Sequence, residues 1–285
     1  MYRDFSKLNN NLQVLEKEIK EKNFITETKY ECSYIILSGL SNADSLDKML
    51  ESFVKTTDNL GKSEIIIISN GSFDHTPEVV NKNLKGFDYI LIYLNPNRGI
   101  AGGFNEGLKR ASGKYICVLQ DDIIIYQPGW NTNLSAFLDK YDRIGAIGFL
   151  LEKKGDLKPT QAVVVSSMYC ITMMFRQGFG LWDELYNPNS LEDFDFCYRI
   201  RSKGYEICGI NLDIYHPPLG ELSTVSVTRK ISGISNKICS YGLLLSHLFT
   251  KRYEEILNHE NNFDRFFTPI EKIYTLYPDH GSLTP

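Results

Sequence analysis

Glu64-Ile65-Ile66-Ile67-Ile68-Ser69-Asn70-Gly71-Ser72 is the stretch from which the fold is read. Its isoleucines are consecutive and do not alternate with polar residues, the pattern of a strand covered on both faces and therefore of a parallel sheet. Asn70-Gly71 then supplies a tight turn. Thr76-Pro77-Glu78 reads as an N-cap, a proline in the first helical position and an early acid, so a helix follows. The unit occurs upstream as the apolar run Ser33 to Ser38 and a helical spacing of Leu46, Met49, Leu50 and Phe53. It occurs downstream as Tyr89 to Tyr93, a Gly-rich loop, a helix through Leu108 and the run Tyr115 to Leu119. Strand and helix in this rhythm predict right-handed crossovers and a doubly wound α/β sheet.

Beyond residue 125 the rhythm changes to a helix near 130–141, a strand from Ile144 to Leu150, a hairpin across 151–166 and a mixed region to about 216. No low-complexity linker interrupts this span, so one domain is expected over 29–221. Before it, Phe5, Leu8, Leu12, Leu15 and Ile19 have the spacing of an amphipathic helix, giving an N-terminal helical segment over 1–28. After it, 222–285 reads as a mainly helical C-terminal extension, in which Ile234 to Leu257 is apolar on one face with Lys251 and Arg252 beyond. Two uses of that face stay open: packing on the domain or on a second copy as a homo-oligomer, or peripheral contact with a membrane.

A net charge of −4 offers a polyanion nothing to bind, so nucleic acid is not the expected partner. The six cysteines, at 32, 117, 170, 197, 208 and 239, form no C-x-x-C pair and several sit in apolar runs. Scattered thiols of this kind suit a reducing, cytoplasmic compartment. The charged and Asn-rich opening does not read as a secretory signal, and no run of roughly 18 uncharged apolar residues suggests a spanning helix.

In an open parallel sheet, ligands sit outside the carboxyl ends of the strands, so the residues after each strand carry the functional reading. Ser69-Asn70-Gly71-Ser72-Phe73-Asp74 is a turn on its bland reading. Asn97-Arg98-Gly99-Ile-Ala-Gly102-Gly103-Phe-Asn105-Glu-Gly107 lacks the dinucleotide spacing, but its glycines would let backbone approach a phosphate, with a helix N-terminus to favour the charge. Gln120-Asp121-Asp122 places two adjacent carboxylates at the mouth of the sheet, costly unless a cation or donors neutralise them and chemically suited to Mg²⁺ or Mn²⁺. Gly180-Leu-Trp182-Asp183-Glu184 leads into Ser190-Leu-Glu192-Asp193-Phe-Asp195. There a capping box from Ser190 to Asp193 and an Asp195–Arg199 ion pair explain a helix. They do not explain five acids beside a tryptophan that the pattern places at the surface. A carboxylate at a helix start is a candidate general base. His216, before Pro217-Pro218, is by itself a structural histidine.

Taken in order, these pieces resemble family 2 of the glycosyltransferases, most of all its rhamnosyltransferase-like and galactofuranosyltransferase-like members, over about residues 33 to 216. The resemblance implies a Rossmann-like GT-A domain with a mainly parallel mixed central sheet flanked by helices. It implies that Ser38, Ser69, Asn70, Asn97, Gly99, Asn105, Gln120 and Asp121 line a nucleoside-diphosphate-sugar donor. Ser69 stands where the family carries an acid that holds the nucleoside. Asp122 and His216 match the family's ligands for a divalent metal, Mn²⁺ or Mg²⁺. Trp182, Asp183 and Glu192 match its acceptor-side wall, and Asp193 matches its catalytic base.

The implied activity is inverting transfer of a sugar to a hydroxyl of a glycan or lipid-linked acceptor, in bacterial surface polysaccharide or glycoconjugate synthesis, in the cytoplasm or at the inner face of the membrane. The alternative is a catalytically inactive sugar-nucleotide or glycan-binding subunit of the same shape. A sugar-phosphate nucleotidylyltransferase is disfavoured, because Ser38-Gly39-Leu40 lacks the Gly-rich, Arg-containing loop such enzymes place after the first strand.

Overall fold

The computed structural model describes residues 28–39, 41–150, 157–158, 161–165, 167–187, 191–217 and 273–275. Four parallel strands form its first half: β1 (Tyr30–Gly39), β2 (Glu64–Asn70), β3 (Tyr89–Leu94) and β4 (Gly113–Gln120), in spatial order β3-β2-β1-β4. Ile65 to Ile68 are all buried, as the consecutive run in the sequence predicts. Helices α1 (Ala43–Thr56) and α2 (Thr76–Asn83) pack on one face of this half, and α3 (Gly99–Leu108) crosses the other face to reach β4. The chain therefore winds outward from β1 in both directions. β1 and β4 are neighbours at the point where the strand order reverses, and an open α/β sheet offers its crevice to ligands outside the carboxyl ends of such strands.

The second half is mixed. A two-residue strand β5 (Ile124–Ile125) and helix α4 (Trp130–Lys140) lead to β6 (Ile144–Phe149), β7 (Gln161–Val165), β8 (Thr172–Arg176), α5 (Glu192–Ser202), β9 (Glu206–Ile210), β10 (Ile214–Tyr215) and β11 (Ile273–Thr275). β8 runs antiparallel between β4 and β6, joining the halves into one nine-stranded sheet ordered β11-β7-β9-β6-β8-β4-β1-β2-β3. The expectation of a mainly parallel mixed sheet flanked by helices is met. Among the described residues, β5 and β10 leave that sheet and pair only with each other, antiparallel.

Several local expectations change. The strand of the hairpin expected over 151–166 is β7, and it pairs with β9 and β11 inside the main sheet; residues 151–156 lie outside the described set. Of the extension expected to be mainly helical, the described part is β11, a strand at the sheet's edge. The rest of it, and the N-terminal helix, lie outside the described residues. Thr76 is the first residue of α2 and not its cap: the Asp74 carboxylate accepts from the Thr76 amide (3.2 Å) and hydroxyl (2.6 Å). The other Asp74 oxygen accepts from the Ala43 amide at 3.0 Å, so one anion serves the starts of α1 and α2, where helix dipoles favour negative charge.

The glycines of the third loop also act differently from the expectation of a phosphate cradle. Gly99 begins α3 at φ +72°, but Gly103 and Gly107 lie within the helix, facing β1. A Cβ there would stand 2.5 Å from Leu37 Cδ1 and 2.4 Å from Ile35 Cγ2 respectively. Their absent side chains let α3 lie directly on the strand that ends at the crevice.

Candidate active site

Strand register sets the first group of residues. Ser38 stands beside Ser69 and Gly39 beside Asn70 on the β1–β2 pair, while Leu37 stands beside Gln120 on the β1–β4 pair. Residues from three strand ends thus line the crevice. Asp121, 1% exposed, accepts from the Gly39 amide at 3.3 Å. The side chains of Ser38 and Asn42 face it without closing a full hydrogen bond. Burial and the charge of Asp122 push its carboxyl up to about 7 against those donors. Two adjacent carboxylates out of water repel one another, and an electrophile or cation between them relieves the strain.

Asp122 is also buried, and the β5–β10 ribbon brings His216 to it. Ile124 pairs with Tyr215 and Ile125 with Ile214, which sets His216 Nε2 at 3.8 Å from Asp122 Oδ1. A divalent cation sits about 2.0–2.2 Å from imidazole nitrogen or carboxylate oxygen, so two such atoms 3.8 Å apart can share one. The residues present fit a metal. A cavity of about 220 Å³ adjoins Asp122, with Tyr215 and Pro217 on one side and Ser45 and Lys48 of α1 on the other.

Asp193 lies in the first turn of α5, 6% exposed. The capping box expected from Ser190 does not start this helix: the N-cap is Leu191, at φ +72°, and it makes no side-chain cap bond; Ser190 is outside the described residues. A left-handed leucine costs about 1–2 kcal/mol, and it turns the chain so that Glu192 and Asp193 open the helix. Asp193 Oδ1 accepts from the Phe194 amide at 2.9 Å and Oδ2 from the Cys170 amide at 3.3 Å. Burial nevertheless outweighs these donors and pushes its carboxyl up to about 6, within the range useful to a base near neutral pH. Cys170 Sγ, Glu192 and Asp193 place ligand atoms within 4.8 Å of one another. Gln120 Nε2 donates to Cys170 Sγ at 3.3 Å. A line of contacts therefore runs from Asp193 through Cys170 to Gln120, the residue before Asp121-Asp122.

The remaining expected residues do not open onto this line. The Asn70 amide donates to the Gly99 carbonyl (2.9 Å) and its oxygen accepts from the Arg98 amide (2.8 Å). Asn97 donates to the Asn70 carbonyl and accepts from the Gly99 amide, so these residues lock the start of α3 to the end of β2. Asn105 grips both backbone groups of Trp182, its oxygen accepting from the amide at 2.7 Å and its nitrogen donating to the carbonyl at 2.9 Å. It also donates to Glu184 at 3.0 Å. Trp182, expected at the surface, is 1% exposed and stacked on Phe196 with centroids 4.8 Å apart. Its neighbour Asp183 accepts from the Leu185 amide and caps a short 3-10 turn. Asp195 and Arg199 make the expected ion pair at 2.9 Å. Asp74, Lys48 and Cys170 were not singled out by sequence. Asp74 alone had a local signal, an acid two residues before a helix start.

An α/β sheet wound outward from β1, with paired carboxylates at the switch point, is the GT-A arrangement. Solved structures of that type align with it: TarS 1-349 of S. aureus with UDP (TM-score 0.52, 18% identity, 64% of this chain and 58% of that one), and the mannosyltransferase PcManGT of Pyrobaculum calidifontis with GDP-Man and Mn²⁺ (TM-score 0.52, 16%, 76% and 66%). At that identity the likeness is one of fold. The family model for glycosyl transferase family 2 matches residues 35–200, more than half of the sequence, and the chain belongs to that family. The poly-beta-1,6-N-acetyl-D-glucosamine synthase of Staphylococcus aureus (strain MSSA476) is 32% identical over 109 residues, 38% of this chain. That of Staphylococcus epidermidis is 42% identical over 64 residues, 22% of this chain. The matched stretches span 26% and 16% of those synthases. No helix among the described residues is long and apolar enough to cross a membrane.

Proposed function

We propose that this chain is an inverting glycosyltransferase that moves a sugar from a nucleoside-diphosphate sugar to a hydroxyl of a glycan or lipid-linked acceptor, in bacterial surface polysaccharide or glycoconjugate synthesis. The observation that carries the reading is the continuity of the site: the buried Asp193 carboxylate is joined through Cys170 and Gln120 to the strand end whose Asp122 meets His216. The names of the aligned proteins, which include UDP, GDP-Man and N-acetyl-D-glucosamine polymer synthesis, support the donor and product classes. The described cysteines are free and buried, which suits the cytoplasm.

In this reading Asp193 accepts the proton of the acceptor hydroxyl as its oxygen attacks the anomeric carbon. The bond from that carbon to the diphosphate breaks on the opposite face, and configuration inverts. Asp122 and His216 would hold a divalent cation, which supplies charge neutralisation to the departing diphosphate. Lys48, beside the same cavity, adds a positive charge on the α1 side. General-base assistance of this kind contributes about 10²–10⁴-fold.

Asp193→Asn tests the reading, because it keeps size and an acceptor for one of the two backbone amides but cannot take a proton. Transfer falls at least a hundredfold, while UDP or GDP with Mn²⁺ still raises the melting temperature as in wild type. Transfer above a tenth of wild type would remove Asp193 from the role. A wild-type protein that binds nucleotide but transfers nothing would favour the inactive binding subunit.

A further inference from the structure

The contact between Cys170 and Gln120 has no place in the chemistry above, although it joins the two halves of the site. Gln120 is tied to the segment after β7 by its own amide, which donates to the Ile171 carbonyl at 3.1 Å. Its side-chain nitrogen donates to Cys170 Sγ at 3.3 Å. A sulfur that receives one hydrogen bond still has its own hydrogen to give, and the groups beside it are the carboxylates of Glu192 and Asp193, within 4.8 Å. Cys170 is 2% exposed, and burial raises its thiol well above the usual range, so the hydrogen stays on sulfur at neutral pH. The same residue's backbone amide donates to Asp193 Oδ2. Asp193 therefore receives the Cys170 amide and lies within 4.8 Å of the thiol of the same residue, the sulfur that Gln120 holds.

We propose that Cys170 is a positioning residue of the transfer reaction: Gln120 turns its thiol toward Asp193, which holds the base at a set place relative to the strand end carrying Asp121 and Asp122. This rests on the reading of Asp193 as the base. A chain of donors in a buried setting polarises along its length, so each link strengthens the next. Loss of the link leaves the carboxylate on its backbone donors but free to rotate away from the acceptor hydroxyl. Such a defect appears in turnover and not in donor affinity.

The test compares Cys170→Ala, which deletes the donor, with Cys170→Ser, which keeps one of similar size. In the full chain, the alanine variant loses about tenfold in kcat, the size of effect expected of a hydrogen bond to a charged group. Its donor KM stays within about twofold and serine recovers kcat to within about threefold of wild type. Gln120→Ala lowers kcat as well, and the Gln120→Ala/Cys170→Ala pair loses much less than the product of the single losses. Wild-type kcat in the alanine variant overturns the proposal, as does a serine variant no better than alanine, which marks mere packing. Retained transfer by Asp193→Asn defeats the base assignment itself. An inactive Asp193→Asn beside an unaffected Cys170→Ala defeats only this inference.

Discussion

Asn105 separates two roles that its position in the Gly-rich segment leaves confounded. The resemblance places it on the donor, whereas the structure commits its amide to Trp182 and Glu184 on the opposite segment. Asn105→Ala removes two buried neutral hydrogen bonds, worth about 1 kcal/mol each, and strands the Trp182 N–H and C=O without partners. The bond to Glu184 adds less than a fully buried charged one, because that side chain is 34% exposed. A loss of about 3 kcal/mol follows, and at roughly 2–4 °C per kcal/mol for a chain of this size the melting temperature falls by about 6–12 °C. Asn105→Asp keeps the acceptor for the Trp182 amide but sets a carboxylate against Glu184 and the Trp182 carbonyl, so it is no more stable than the alanine variant. Thermal unfolding by circular dichroism measures the loss. Nucleotide titration at 15 °C, on protein that is still folded, measures donor affinity, expected within about twofold of wild type. A variant that melts within about 2 °C of wild type yet fails to bind nucleotide refutes the reasoning and returns Asn105 to the donor.

The acid limb of the rate profile follows from Asp193. Its carboxyl is raised to about 6 by burial, so it takes up a proton as pH falls through that value and ceases to be a base. At saturating donor, kcat/KM for the acceptor drops about tenfold per pH unit below about 6; a plateau that persists to pH 4.5 contradicts the assignment. Gly107→Ala sets a helix-propensity gain of about 1 kcal/mol against overpacking on Ile35, typically about 1–3 kcal/mol. Ile35 is fully buried on β1 and has no room to yield, so the clash wins. The melting temperature falls by about 2–4 °C, whereas Gly61→Ala, whose Cβ meets nothing within 4 Å, leaves it unchanged. Equal melting of the two variants refutes the packing account of α3.

The parallel half was legible because its signals are local. A strand buried on both faces must be apolar at successive positions, as Ile65 to Ile68 are, and Leu46, Met49, Leu50 and Phe53 bury one face of α1 as their spacing predicts. The placement of β8 between β4 and β6 was not legible, because strand order depends on partners far away in sequence. Trp182 looked like a surface residue among acids. Its burial follows from Asn105 gripping its backbone and Phe196 stacking on its ring, contacts between segments that no local pattern announces. Of the residues the motifs single out, Asp122 and His216 stand 3.8 Å apart, while Asn70 and Asn97 are engaged with each other and with the start of α3. Cys170 carries no motif. Its significance comes only from lying between a helix start and a strand end.

The ribbon that carries His216 is held to β5 by two residue pairs, while every strand of the main sheet has at least three. Segments so lightly fastened open at a small fraction of the global unfolding free energy. In the proposed metal site, the histidine half of the Asp122–His216 pair can thus detach and reseat while the sheet stays intact, and ion affinity there would include the work of closing the ribbon. Substitutions at Ile214 or Ile125, remote from any substrate, would then tune ion affinity without altering either ligand.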